Sequence, residues 1–220
     1  MSQLRILVAD DNQFMRTAVK RILETQAGFD VVCVAKDGQE AMNMAVKLAP
    51  DVVILDVMMP KMDGIEAASQ ITGRHPQTAV VILSAFDDLA FVSALLRDGA
   101  TGKAYILKNS LDEAVELIRV VEAVADGRAA LDPNIVRKLM ALYKGRSGSQ
   151  LASLTETEET VLKLMLEGYD EPAIARSLGL PREPVEALAS SACEKLGLTE
   201  QNGTDRTPWA VQTLLNLCVA

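Results

Sequence analysis

The chain has 220 residues, of which 49% are apolar and 24% charged, with a formal net charge of −8. Such a length holds one large domain or two ordinary ones, and the balance of residues excludes a disordered chain. The apolar run at the N-terminus is too short for a signal peptide, and no stretch approaches the ~18 apolar residues of a membrane span, so a cytoplasmic protein is expected. The charge is unevenly spread: residues 1–150 carry 17 Lys and Arg against 19 Asp and Glu, whereas residues 151–220 carry 5 against 11. Cys33, Cys193 and Cys218 are widely spaced with no CxxC pair and read as free thiols.

From the start to about residue 126, short apolar runs alternate with amphipathic stretches. The runs are 4–9, 31–35, 52–55, 79–83 and 104–107, and four of them are Val/Ile/Leu-rich without alternation, as parallel strands covered on both faces require. Between them, 14–26 and 39–48 carry apolar residues at helical spacing, and 112–126 repeats the pattern until Gly127 stops it. Five β/α repeats in this order predict a doubly wound five-stranded parallel sheet of the flavodoxin-like kind. Pro133 fits the first turn of a helix reaching about Tyr143, and Lys-Gly-Arg-Ser-Gly-Ser-Gln at 144–150 reads as a flexible linker.

Beyond the linker the chain reads as a small all-α unit. Thr155-Glu-Thr-Glu158 is a capping box opening a helix that ends near Gly168. Helices are also expected at about 172–177 and 182–196, with Leu178-Gly-Leu180 between them, the pattern of a helix-turn-helix. A last helix over 209–218 has one apolar stripe, with Trp209 as a packing anchor. The resulting division is 1–126, a connecting segment with one helix at 127–150, and 151–220.

In an open parallel sheet, chemistry collects beyond the carboxyl ends of the strands. Asp10 and Asp11 follow the first strand, Asp56 ends the third, Ser84 the fourth and Lys108 the fifth. Three converging carboxylates repel one another unless a cation neutralises them, and hard oxygen ligands suit Mg²⁺. Asp56 could then act as a nucleophile towards a phosphoryl group, with Lys108 and Ser84 stabilising its oxygens. His75, beside Pro76 in a loop, is given no catalytic part, and Lys103 is expected to be solvated.

Residues 1–126 resemble the receiver domain of bacterial response regulators, through Asp10-Asp11, Asp56 within Asp-Val-Met-Met-Pro-Lys-Met-Asp-Gly, Ser84-Ala85 and Lys108. The resemblance implies Asp56 as phospho-acceptor and a sensor histidine kinase as donor. It also implies Mg²⁺ held by Asp10, Asp11, Asp56 and the Met58 carbonyl, with Ser84 and Tyr105 as the switch pair. It makes the fourth helix, fifth strand and fifth helix the output surface. One departure is the segment 99–105, about two residues longer than usual before Tyr105. A haloacid-dehalogenase-type hydrolase would need Asp-x-Asp at the nucleophile, whereas Met58 stands there. The protein is therefore read as a regulator, not an enzyme beyond any self-catalysed gain and loss of its own phosphoryl group.

Residues 151–200 resemble the LuxR-type helix-turn-helix of the NarL/FixJ class, through Leu154-Thr155, Glu158, Val161-Leu162, Glu167-Gly168, Ile174-Ala175, Leu178-Gly179-Leu180, Val185 and Lys195-Leu196-Gly197-Leu198. That implies transcription control through DNA, with Arg182, Ser190 and Lys195 as contacts, and a homodimer through Val211, Leu214, Leu215 and Cys218. The contact positions depart from the family: Tyr169-Asp170-Glu171-Pro172 follows the first helix, Pro181 replaces the usual Ser or Thr cap, and Val185 is followed by Glu186. The alternative is an output domain that binds a protein partner, with Ala187, Leu188 and Ala189 as a small apolar patch.

Overall fold

The computed structural model describes residues 3–110, 114–145, 153–196 and 207–219, with side chains left out at 207, 209 and 216–219. The first half is the expected alternation: β1 (Leu4–Ala9), α1 (Gln13–Leu23), β2 (Phe29–Ala35), α2 (Gly38–Leu48), β3 (Val52–Asp56), α3 (Gly64–Arg74), β4 (Ala79–Ser84), α4 (Leu89–Leu96), β5 (Lys103–Leu107) and α5 (Ala114–Ala125). The strands pair in parallel in the order β2-β1-β3-β4-β5, the doubly wound arrangement.

Side chains alternate across the sheet. Ile6, Val8, Ile54, Val81, Leu83 and Ile106 face α1 and α5. Leu7, Val53, Leu55, Val80, Ile82 and Tyr105 face α2, α3 and α4. Both faces are covered, which is why the strands need no polar side. Helix starts are fixed locally by carboxylates and amides that accept orphan backbone N–H groups: Asn12 for α1, Asp37 for α2, Asp63 for α3 and Asp88 for α4.

A sixth strand, β6 (Ala130–Leu131), extends the expected five by pairing in parallel with β5. Two residues give no periodicity to read, so β6 is invisible to a pattern argument. It leads into α6 (Pro133–Lys144), whose Ile135, Val136 and Leu139 are fully buried on the α4 side of the sheet. Of the expected linker 144–150, residues 146–150 lie outside the described residues.

The C-terminal helices are α7 (Glu156–Leu166), α8 (Glu171–Leu178), α9 (Arg182–Lys195) and α10 (Thr207–Val219). The capping box forms: Thr155 accepts from Glu158 N at 3.2 Å, and the Glu158 carboxylate accepts from Thr155 N at 2.7 Å. Pro181 stands at the N-cap of α9 and makes no side-chain cap bond. α7 and α10 pack on β6, α6 and α4, so one apolar core runs from the sheet into the helical unit. Gly168, just past α7, allows that approach. It has φ +84°, and a Cβ there would lie 2.6 Å from the Ala130 Cβ.

Candidate functional site

Each candidate carboxylate is placed by the end of a strand. β1 delivers Asp10 and Asp11, β3 ends on Asp56, and carboxylate oxygens of all three lie within 4.8 Å of one another. Asp56 is only 6% exposed, Asp10 is buried, and Asp11 faces solvent. β5 delivers Lys108, whose Nζ reaches Asp10 Oδ2 at 2.7 Å and Asp56 Oδ1 at 3.0 Å. The loop after β3 closes tightly over the acceptor. A Cβ on Gly64 would fall 2.0 Å from the Asp56 carbonyl oxygen, so α3 can begin there only with glycine.

Burial raises the Asp56 pKa; the hydrogen bond and charge of Lys108 oppose that rise, and the Asp10 and Asp11 charges reinforce it. Burial pushes Lys108 down, but its bonds to Asp10 and Asp56 outweigh that and leave its pKa raised. The cluster thus holds more negative charge than one lysine balances. With three convergent hard oxygens, it suits a divalent cation. The Met58 side chain is exposed, and its soft thioether suits a hard cation poorly, so its contribution would come from the backbone carbonyl.

Ser84 is fully buried at the end of β4. Its hydroxyl accepts from Phe86 N at 2.9 Å and donates to Phe86 O at 3.2 Å. Tyr105 faces inward, also fully buried, and donates to the same carbonyl at 2.8 Å. Burial raises its pKa.

Two basic residues escaped the sequence reading. Arg16 of α1 donates to the carbonyls of Asp10 at 2.7 Å and Asp11 at 3.0 Å, bracing the acidic pair from behind. Lys103, expected to be solvated, is half-buried with its Nζ 3.0 Å from the Leu95 carbonyl, and desolvation lowers its pKa. Neither has a local signal, because a lysine or arginine on an amphipathic segment reads as solvent-facing.

In the helical unit, Lys195 is bonded to both oxygens of Glu158, at 2.8 and 2.7 Å, and Ser191 donates to the same carboxylate at 2.6 Å. Ser190 bonds back to the Glu186 carbonyl at 2.9 Å. Arg182 is largely exposed and 3.7 Å from Glu171. Glu183, Glu186, Ala187 and Glu194 are exposed on α9, and Arg176 is exposed on α8. The apolar patch does not form: Ala189 is buried and Leu188 packs partly into the core, leaving Ala187. Helical phase explains this, since Ala189 lies four residues past the buried Val185 and shares its face. Val211, Leu214 and Leu215, expected at a dimer face, are buried against this chain's own α6, α4 and α7, while Cys218 and Trp209 have side chains outside the described residues.

Comparison with known proteins follows the same division. Residues 6–120 match the family described as response regulator receiver domain, and residues 152–203 match bacterial regulatory proteins of the luxR family. The transcriptional regulatory protein DegU of Brevibacillus brevis is 32% identical, covering 98% of this chain and 94% of its own. The oxygen regulatory protein NreC of Staphylococcus aureus is 34% identical over 89% and 92%. Among solved structures, an RcsB response regulator of Salmonella typhimurium, described for its conformational dynamism in DNA interaction, aligns with a TM-score of 0.58 at 26% identity, covering 99% of this chain and 98% of that one. The receiver domain of a putative response regulator, NarL, from Mycobacterium tuberculosis aligns with 0.54 at 34% identity, covering 58% of this chain and all of that one.

Proposed function

The chain belongs to the response regulators that join a receiver domain to a LuxR-type helix-turn-helix domain, and from that premise we propose a phosphorylation-switched transcription regulator with Asp56 as acceptor. The observation that carries this reading is the convergence of Asp10, Asp11, Asp56, Ser84 and Lys108 at one edge of the sheet. A histidine kinase supplies the phosphoryl group. An Asp56 carboxylate oxygen attacks phosphorus as the P–N bond of the phosphohistidine breaks. The electron pair stays on the imidazole, which takes up a proton. Lys108 Nζ, already beside Asp56, then faces the phosphoryl oxygens, and the Ser84 hydroxyl can turn from Phe86 to donate to another. Mg²⁺, held by Asp10, Asp11, Asp56 and the Met58 carbonyl, would supply neutralisation of charge there. Gain and loss of this group is the chemistry of the site.

The working division is a receiver up to about residue 126, a connecting unit of β6 and α6, and an output domain from about 151. DegU is a transcriptional regulator by name and the RcsB structure concerns DNA interaction. The output domain is accordingly assigned to DNA, with Arg182 and Arg176 as phosphate contacts, since the first helix of such a motif crosses the backbone. Among the described residues no helix is long and apolar enough to cross a membrane, and a kinase-fed DNA regulator works in the cytoplasm. A homodimer through Val211, Leu214 and Leu215 requires α10 to leave its bed on α6 and α4. The acidic exposed face of α9 favours a second reading, in which the output domain takes a basic protein partner.

The test is incubation of the full chain with Mg²⁺ and an acyl phosphate, followed by intact mass and by fluorescence anisotropy on duplex promoter DNA. One phosphoryl added to the wild type and none to Asp56→Asn, with DNA affinity that falls steeply as salt rises, supports the assignment. Equal labelling of the Asn variant sinks Asp56 as acceptor. Absence of DNA binding at low salt by the phosphorylated chain moves the output to a protein partner.

A further inference from the structure

The groups that stabilise a phosphoryl on Asp56 are held in part from outside the region that matches a receiver domain. That match ends at residue 120, yet α6 grips the backbone beside both Ser84 and Lys108. At its start, Asp132 donates its N–H to the Tyr105 carbonyl at 2.8 Å and accepts from Leu107 N at 3.1 Å, one residue before Lys108. Nearly two turns further, Lys138 donates to the Asp87 carbonyl at 3.0 Å and pairs with the Asp87 carboxylate at 2.5 Å. Asp87 directly follows Phe86, whose carbonyl accepts both the Ser84 and Tyr105 hydroxyls.

We propose that Lys138 of α6 is a positioning residue for the phosphoryl site, fixing the Phe86–Asp87 loop so that the Ser84 hydroxyl stays turned towards Phe86 in the resting protein. The inference rests on the reading of Asp56 as acceptor. To donate to a phosphoryl oxygen, Ser84 gives up the Phe86 carbonyl, and the loop must yield. Lys138 resists that movement from two points of Asp87. Because coupling is reciprocal, a phosphoryl that recruits Ser84 loosens the grip of Lys138 on the loop. α6 is also the bed of α10, so the Phe86–Asp87 loop and the output domain lean on one helix.

Both partners of this pair are about half exposed. Such a pair adds little to stability, so it can be removed without unfolding the chain. The experiment uses the full chain with Mg²⁺ and an acyl phosphate, and reads the phosphorylated fraction and its half-life for wild type, Lys138→Met, Lys138→Arg, Asp87→Asn and the double variant Asp87→Asn/Lys138→Met. Thermal melts of each establish folding. The expected result is a Met variant that reaches half-maximal phosphorylation at about threefold or more lower donor, an Arg variant like wild type, and a double variant no different from the Met single. A loss of packing alone would lower the melting temperature without this shift. A Met variant with unchanged or weaker phosphorylation overturns the proposal, as do simply additive Asn and Met effects. Wild-type protein that takes up no phosphoryl overturns the acceptor reading, and this inference with it; normal wild-type uptake with unaltered variants overturns this inference alone.

Discussion

Asp56 and Asp10 lie side by side in a buried pocket because Lys108 stands between them. Removing one partner of a buried ion pair is far more harmful than the pair is helpful, on the order of 3 kcal/mol or more. Lys108→Met should therefore lower the melting temperature in the absence of divalent ions, and added Mg²⁺ should recover part of the loss. A calorimetric scan with and without the ion checks this, and a melting temperature equal to wild type in metal-free buffer would contradict the described role. These residues were legible in the sequence because each interrupts an apolar strand run at the same edge, and a parallel sheet gathers such interruptions. Arg16 and Asp132 were not. Arg16 acts through backbone carbonyls, and Asp132 reaches a partner 25 residues away, and neither relation leaves a pattern along the chain.

Among the elements, the C-terminal helices show how much of a helix is written locally. The Thr155–Glu158 capping box is an i, i+3 relation and was visible at once. That the same carboxylate also ties α7 to Ser191 and Lys195 of α9 was not, since those partners lie 33 and 37 residues away. Hydrogen bonds from Lys195, then Ser191 and the Thr155 backbone, lower the Glu158 pKa to about 2. A depressed carboxylate pKa adds stability that is fully present above the ordinary glutamate value of about 4.3 and is lost as pH falls towards the folded value. Thermal melts should thus show the helical unit weakening between roughly pH 4.3 and 2. Glu158→Gln should lower the melting temperature at neutral pH and flatten that acid dependence, and an unaltered pH profile would rule the mechanism out. β6 marks the other limit, where a two-residue strand falls below any periodicity.

At the level of the whole molecule, Arg119 adds a polar and aromatic clasp to the apolar packing that joins the two halves. Arg119 of α5 stacks 3.9 Å from the Tyr169 ring centroid, donates to the Glu167 carbonyl at 2.9 Å and pairs with Glu116. Arg128 adds a bond to the Gly168 carbonyl at 3.0 Å. Tyr169 departs from the family pattern at a position expected to face DNA, and the fold puts it to use in docking on the receiver. Its partner, 50 residues earlier, could not be read from the sequence, because contact between distant surfaces is a property of the assembled fold. A desolvated cation–π contact contributes about 2 kcal/mol. Arg119→Ala should open the two halves, seen as a larger radius of gyration by small-angle scattering, while phosphorylation of Asp56 persists. An unchanged radius would show that the apolar bed of α10 suffices to hold them.

The sheet's last strand carries a consequence for how the chain can be cut. Beyond β5 the ladder is closed by only two residues of β6 and then by the Asp132 carboxylate, which takes the Leu107 N–H that a longer strand would have taken. A fragment ending at residue 126 would bare that edge, leaving the Tyr105 carbonyl and the Leu107 N–H without their partners and Tyr105 and Leu107 without the cover of α6. Exposed edges recruit strands from other molecules. A fragment of residues 1–126 should accordingly self-associate, with light scattering that rises on concentration, where the full chain, with β6, α6 and the helices that cover α6 in place, stays monodisperse.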